Sequence, residues 1–121
     1  MKLIFANRNY SSWSLRAWLV LRHFGIAFDE EQVLLNGEGW KEKLRKKSPS
    51  GKVPVLVDGD LVLPETIAII EYLHDKYPAK GIWPSNRIER AIARSAAAEM
   101  HGGFTALRNE APMNLRASYP G

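Results

Sequence analysis

Gly51-Lys52-Val53-Pro54-Val55-Leu56-Val57-Asp58-Gly59-Asp60-Leu61-Val62-Leu63-Pro64-Glu65-Thr66 is the stretch on which the fold turns. Val53 to Val57 and Leu61 to Leu63 are short runs rich in β-branched residues. The Asp58–Gly59 pair between them is a tight turn, so the two runs are predicted as a hairpin. Pro64 and Glu65 then open a helix that reaches about Tyr77. Ile67, Ile70, Leu73 and Tyr77 fall on one stripe of it, with Ile69 and Tyr72 beside them. Upstream, Ser48-Pro49-Ser50-Gly51 is a turn cluster. A short basic helix from Trp40 to about Lys47 precedes it, after a loop at Asn36–Gly37 and Gly39.

Further toward the N-terminus, Phe28–Leu35 is expected as a strand with Val33, Leu34 and Leu35 as its core, and Lys2–Ala6 as a second, buried strand. Between them Ser11, Ser12 and Ser14 supply N-cap chemistry for a helix running to about Phe24. Trp13, Ala17, Trp18, Leu21 and Phe24 recur on it at three- and four-residue steps, and Gly25 is its stop. The order is therefore β-α-β-α-β-β-α. A β-α-β start implies a parallel pair and the hairpin an antiparallel one. The fold class is α/β: a thioredoxin-like, mixed four-stranded sheet with flanking helices. Downstream, Tyr77-Pro78 through Trp83-Pro84 reads as a linker in which few residues can pack. One long helix is expected from Asn86 to about Leu107, followed by loop to Gly121. The expected division is 1–78, a linker at 79–85, and 86–121 as the start of an all-α domain.

Composition bounds the chemistry. Of 121 residues, 45% are hydrophobic and 25% charged, which is ordinary for a folded domain. The net charge of +4 is spread along the chain rather than gathered in one long run, and no nucleic-acid motif accompanies it. There is no cysteine, which excludes disulfide staples, thiolate zinc sites and a CxxC redox centre. His23, His74 and His101 lack metal-ligand spacing, so no metal is expected, and the four tryptophans read as core. The apolar run Leu3–Ala6 is too short for a signal peptide or a membrane span, so a cytoplasmic protein is expected, with no membrane partner.

Three places carry candidate chemistry. Val53–Pro54 stands at a strand start, where a trans proline is the ordinary local reading. Pro64-Glu65-Thr66 opens a helix: free amides and the helix dipole suit a carboxylate, while the Glu65 side chain suits an ammonium or simply complements the dipole. Ser11-Ser12-Trp13-Ser14-Leu15-Arg16 begins the first helix, where a thiol has its pKa lowered from about 8.5 and a hydroxyl can bind the thiolate.

Asn7 to Leu21, Gly51 to Leu56 and Leu63-Pro64-Glu65-Thr66-Ile67-Ala68-Ile69-Ile70-Glu71-Tyr72-Leu73 together resemble the glutathione-binding domain of serine-type glutathione S-transferases. The likeness covers about residues 1 to 80, and Arg87 to Arg116 is similar to the opening of that family's helical second domain. Ser11 to Arg16 is similar to the Ser-Ser-Cys-x-x-Arg motif of the zeta class, which includes maleylacetoacetate isomerases; Trp13 stands where that motif has cysteine. The resemblance implies that glutathione is the co-substrate and that Pro54 is cis, with Val53 pairing with the cysteinyl backbone. It gives Ser11 the thiolate, with Ser12 as competitor, and gives Glu65 and Thr66 the γ-glutamyl ammonium and carboxylate. Lys52 would reach the glycyl end, with Trp40, Lys41 and Arg45 as weaker candidates. Met100, His101 and Phe104 would face the second substrate, a small soft electrophile. Ala91, Ala93, Ala96, Ala97 and Ala98 fit either the family's homodimer interface or internal packing. The implied activity is glutathione transfer; the alternatives are a glutathione-dependent isomerase or dehalogenase, or a non-catalytic binding or assembly domain. That family's second domain is about as long as its first, so a chain ending after one helix is expected to be truncated or reduced there.

Overall fold

Leu3, Ile4 and Phe5 form the buried middle of a mixed sheet. Their strand, β1 (Lys2–Phe5), pairs in parallel with β2 (Asp29–Gln32) and antiparallel with β3 (Val55–Asp58). β3 pairs antiparallel in turn with β4 (Leu61–Pro64), giving the order β2-β1-β3-β4. The structure, a computed structural model, describes residues 1–121 except Gly37, Tyr119 and Gly121; the loop and tail expected there lie, at those three positions, outside the described residues. The helices are α1 (Ser12–His23), α2 (Trp40–Lys47), α3 (Thr66–Lys76), α4 (Arg87–Gly102) and α5 (Thr105–Glu110), with one turn of 3₁₀ helix at Pro78–Lys80 before α4. This is the thioredoxin-like arrangement expected from the element order.

α1 and α3 lie against each other and close one core with the sheet. Leu3, Phe5, Ala17, Leu21, Ile26, Leu56, Ile69 and Leu73 are its fully buried members. Each large apolar side chain taken from water in this way contributes about 1.5–3 kcal/mol. The buried stripe of α3 is Thr66, Ile69 and Leu73 rather than the expected Ile67–Ile70–Leu73, and Ile67 and Ile70 are half-buried. On α1 the buried face is Ser14, Ala17 and Leu21, while Trp13, Trp18 and Phe24 are only partly covered. Of the four tryptophans Trp83 is buried and Trp18 packs partly covered against the core, whereas Trp13 and Trp40 are half-buried outside it.

Other boundaries also move. β2 is the charged segment Asp29-Glu30-Glu31-Gln32, not Phe28–Leu35. β1 ends at Phe5, paired with Gln32, so after one further bond from Val33 N–H to the Phe5 carbonyl (2.8 Å) nothing holds the chain to the sheet. Leu34 and Leu35 leave it and are exposed. β3 starts only at Val55, after Pro54, and Asp58 pairs with Leu61, so the two-residue turn is Gly59–Asp60. Gly59 takes φ of 59°, a left-handed value glycine adopts without strain.

The expected helix from Asn86 to Leu107 is two helices. Asn86 caps α4, its side chain accepting from Ile88 and Glu89 N–H. The break falls at Gly102-Gly103-Phe104, where Phe104 takes φ of 61° and a Cβ on Gly103 would stand 2.8 Å from the Glu99 carbonyl. The linker packs more than its composition suggests: Ile82 lies against the core and Trp83 is buried. Among the described residues no helix is long and apolar enough to cross a membrane.

Candidate functional site

The serine cluster divides by role. Ser11 is the N-cap of α1, its Oγ accepting from Ser14 N–H at 3.4 Å. Ser14 is fully buried; its Oγ accepts the Ala6 N–H and the Ser11 hydroxyl, each at 3.0 Å. Ser14 therefore ties the end of β1 to α1 and lines neither of the cavities described below. Ser12, the first residue of α1, makes no side-chain hydrogen bond among the described residues, and both it and Ser11 line a cavity.

At the start of α3 the chain turns sharply. Glu65 takes φ of 72° and ψ of 123°, a conformation rare outside glycine, and its side chain makes no cap bond. The Thr66 hydroxyl donates to the Trp13 carbonyl at 3.2 Å, which joins α3 to the start of α1. What Thr66 still offers is its backbone N–H at a helix start. The Val53–Pro54 bond is cis. Lys52, Val53, Pro54, Glu65 and Thr66 line one pocket of about 330 Å³ with Trp13 and His101. The carboxylate of Glu65 lies between two basic side chains: Lys52 Nζ is 3.8 Å from Oε1, and the imidazole Nε2 of His101 is 3.6 Å from Oε2. Trp40, Lys41 and Arg45 line neither this pocket nor the larger cavity.

That cavity, of about 770 Å³, adjoins the pocket through Trp13, which lines both. Its walls include Ser11, Ser12, Leu34, Leu35, Met100 and Phe104. Of the three residues expected to face a second substrate, Met100 and Phe104 line this cavity, whereas His101 lines the pocket beside Glu65. Arg16 and Arg108 also line the cavity, their guanidinium carbons 4.6 and 4.2 Å from the Trp13 ring centre. Burial, then the charge of Arg108, lowers the Arg16 guanidinium from its usual value. Neither arginine has a carboxylate partner among the described residues; Arg108 donates to the carbonyls of Met100 and Gly103. Arg108, Leu34 and Leu35 were not read from the sequence as site residues. The glycine pair before Phe104, after which α5 brings Arg108 to the Trp13 ring, was the available signal for Arg108.

The family model for the glutathione S-transferase N-terminal domain matches residues 10–76. The chain belongs to the glutathione S-transferase family. A zeta-class glutathione S-transferase of Euphorbia esula is 36% identical over 106 residues, covering 87% of this chain and 47% of the relative. A probable maleylacetoacetate isomerase of Caenorhabditis elegans is 34% identical over 102 residues, covering 84% and 47%. A crystal structure of a glutathione transferase homologue from Burkholderia with bound glutathione superposes with a TM-score of 0.71 at 28% identity, covering 90% of this chain and 58% of that one. The chain spans about half the length of the curated relatives it matches.

Proposed function

We propose that this transferase-family chain binds glutathione in the pocket beside Glu65 and presents its thiolate at the start of α1 to a small electrophile in the larger cavity. The observation that carries this reading is convergence. Lys52, Val53, Pro54, Glu65 and Thr66, singled out in two separate stretches of sequence, line one pocket whose Trp13 wall opens onto Ser11 and Ser12. Residues 1–78 are the glutathione-binding unit of this proposal and 86–121 the opening of the helical domain, in a cytoplasmic homodimer.

Each part has a physical task. Glu65 holds the γ-glutamyl ammonium, and the first amides of α3 hold the carboxylate on the same carbon. Val53 pairs with the cysteinyl backbone, and Lys52 stands toward the glycyl carboxylate. The thiol gives its proton to water, and the helix N-terminus stabilises the thiolate left behind. Ser11 keeps its capping lone pair while its proton turns from neutral Ser14 to the thiolate, a charge-assisted bond roughly twice as strong. The thiolate pair then forms the carbon–sulfur bond as the leaving group departs with its own electrons. Positioning and thiol ionisation are the enzyme's contribution.

A glutathione-dependent isomerase is the second reading, favoured by Arg16 and Arg108. Two guanidinium groups without carboxylate partners among the described residues, in a cavity walled largely by apolar side chains, suit a carboxylate-bearing substrate such as a maleyl compound. There the thiolate adds to a conjugated double bond and leaves again after rotation, so glutathione is regenerated.

The test is calorimetric titration with glutathione, alongside thiolate absorbance against pH. Binding is expected, with the bound thiol ionising below about pH 8.5. Ser11→Ala raises that bound pKa; if only Ser12→Ala does so, the thiolate belongs to Ser12. No heat at millimolar glutathione overturns the catalytic reading and leaves a binding or assembly domain.

A further inference from the structure

His101 reaches the proposed glutathione pocket from α4, outside the sequence motifs that mark the pocket. Its imidazole stands edge-on to Trp13, ring centres 4.9 Å apart and planes at 68°, which fixes its direction. Nε2 is 3.6 Å from Oε2 of Glu65, too far for a hydrogen bond and near enough for an ion pair once the ring is protonated. Glu65 has no capping bond, and its other oxygen faces Lys52, so these two neighbours set the field at its carboxylate.

We propose that His101 is a charge-selecting positioning residue of this pocket: protonated, it competes with the γ-glutamyl ammonium for the Glu65 carboxylate, and neutral, it leaves that carboxylate to the ligand. The proposal rests on the glutathione reading above. The charges around the ring come from four elements. Glu65 opens α3, and Lys52 lies beyond it in the loop ahead of β3. Arg16 of α1 and Arg108 of α5 share the Trp13 ring with His101. Carboxylates, lysines and arginines hold their charge from about pH 5.5 to about pH 7.5, whereas an imidazole changes its own there. Raising the pH through this range therefore strengthens ligand binding.

The probe is S-methylglutathione, which has no thiol, so ionisation of sulfur cannot imitate the effect. Its affinity for the full chain, measured by calorimetry, is expected to rise about two- to five-fold between about pH 5.5 and about pH 7.5, the range open to an exposed ion pair. His101→Gln should bind at the high-pH level throughout and His101→Lys at the low-pH level throughout, both with unchanged circular dichroism. A flat wild-type profile, an opposite slope, or a His101→Gln variant that keeps the wild-type slope overturns the role given to His101 while leaving the glutathione reading intact. Absence of binding at every pH overturns the glutathione reading and this proposal with it.

Discussion

Glu65 combines a backbone conformation unfavourable to any side chain with a carboxylate that faces a pocket. A non-glycine residue held at such a φ costs about 1–3 kcal/mol, and glycine placed there gives back about 0.5–1 kcal/mol through the entropy of the unfolded chain. Glu65→Gly should therefore leave the urea midpoint unchanged or raised while glutathione binding weakens at least about tenfold, the loss of a charge-assisted contact. Glu65→Ala removes the same carboxylate but keeps the strain, so it should lose binding without gaining stability. A lower midpoint for the glycine variant would mean that the turn is not strained. Ser14 teaches the opposite lesson. It stands beside two half-buried serines in sequence, yet the 3.0 Å bond from Ala6 N–H makes it part of the core. Sequence could not separate the three, because a cap, a free hydroxyl and a buried acceptor all call for the same small polar side chain.

Among the elements, the ones decided by local chemistry were legible and the ones decided by neighbours were not. The order of strands and helices followed from turn residues and apolar runs. The end of β2 did not, because it depends on where its partner β1 stops. β2 is an edge strand made mostly of charged residues, and ion pairs to its side chains add to its ladder with β1. Glu30 is held below the usual carboxylate range by the Trp18 indole N–H, with Arg22 and Arg8 adding to it. Glu31 is held below it by Lys47 and Lys2. A carboxyl whose pKa is depressed by folding stabilises the fold above its unfolded pKa of about 4.3 and loses that contribution as pH falls through the lower, folded value. Stability should thus fall between about pH 5 and about pH 3 in urea titrations, and less steeply in a Glu30→Gln/Glu31→Gln variant. An equal slope in the two proteins would assign the acid sensitivity elsewhere. The effect should shrink in high salt, since both carboxylates are partly exposed.

At the scale of the whole molecule, the proposed site is assembled from both parts of the chain, and only one part was readable in detail. The residues of the pocket proposed for glutathione sit in contiguous motifs, which is why the sequence could single them out together. The larger cavity depends on the break at Gly103, after which Arg108 of α5 comes to Trp13 across sequence that no motif spans. α4 also decides what the molecule presents outward. Its inner face docks on α3 through the Arg94–Glu71 fork, at 3.0 and 2.5 Å, with Ala93 and Ala97 half-buried. Ala91, Ala96 and Ala98 are exposed, so only part of the alanine-rich stretch serves internal packing. On that outer side Ile88 and Ile92, one turn apart, are 68% and 65% exposed. Covering them is favourable by about 1.5–3 kcal/mol each, and a second copy of the chain is the partner the family resemblance implies. Sedimentation velocity should then show a dimer that grows with concentration, and Ile88→Gln/Ile92→Gln should be monomeric, with the melting temperature of the wild type at concentrations where that too is monomeric, because neither side chain contributes to the core. A wild-type chain that stays monomeric at high micromolar concentration would exclude self-association through α4.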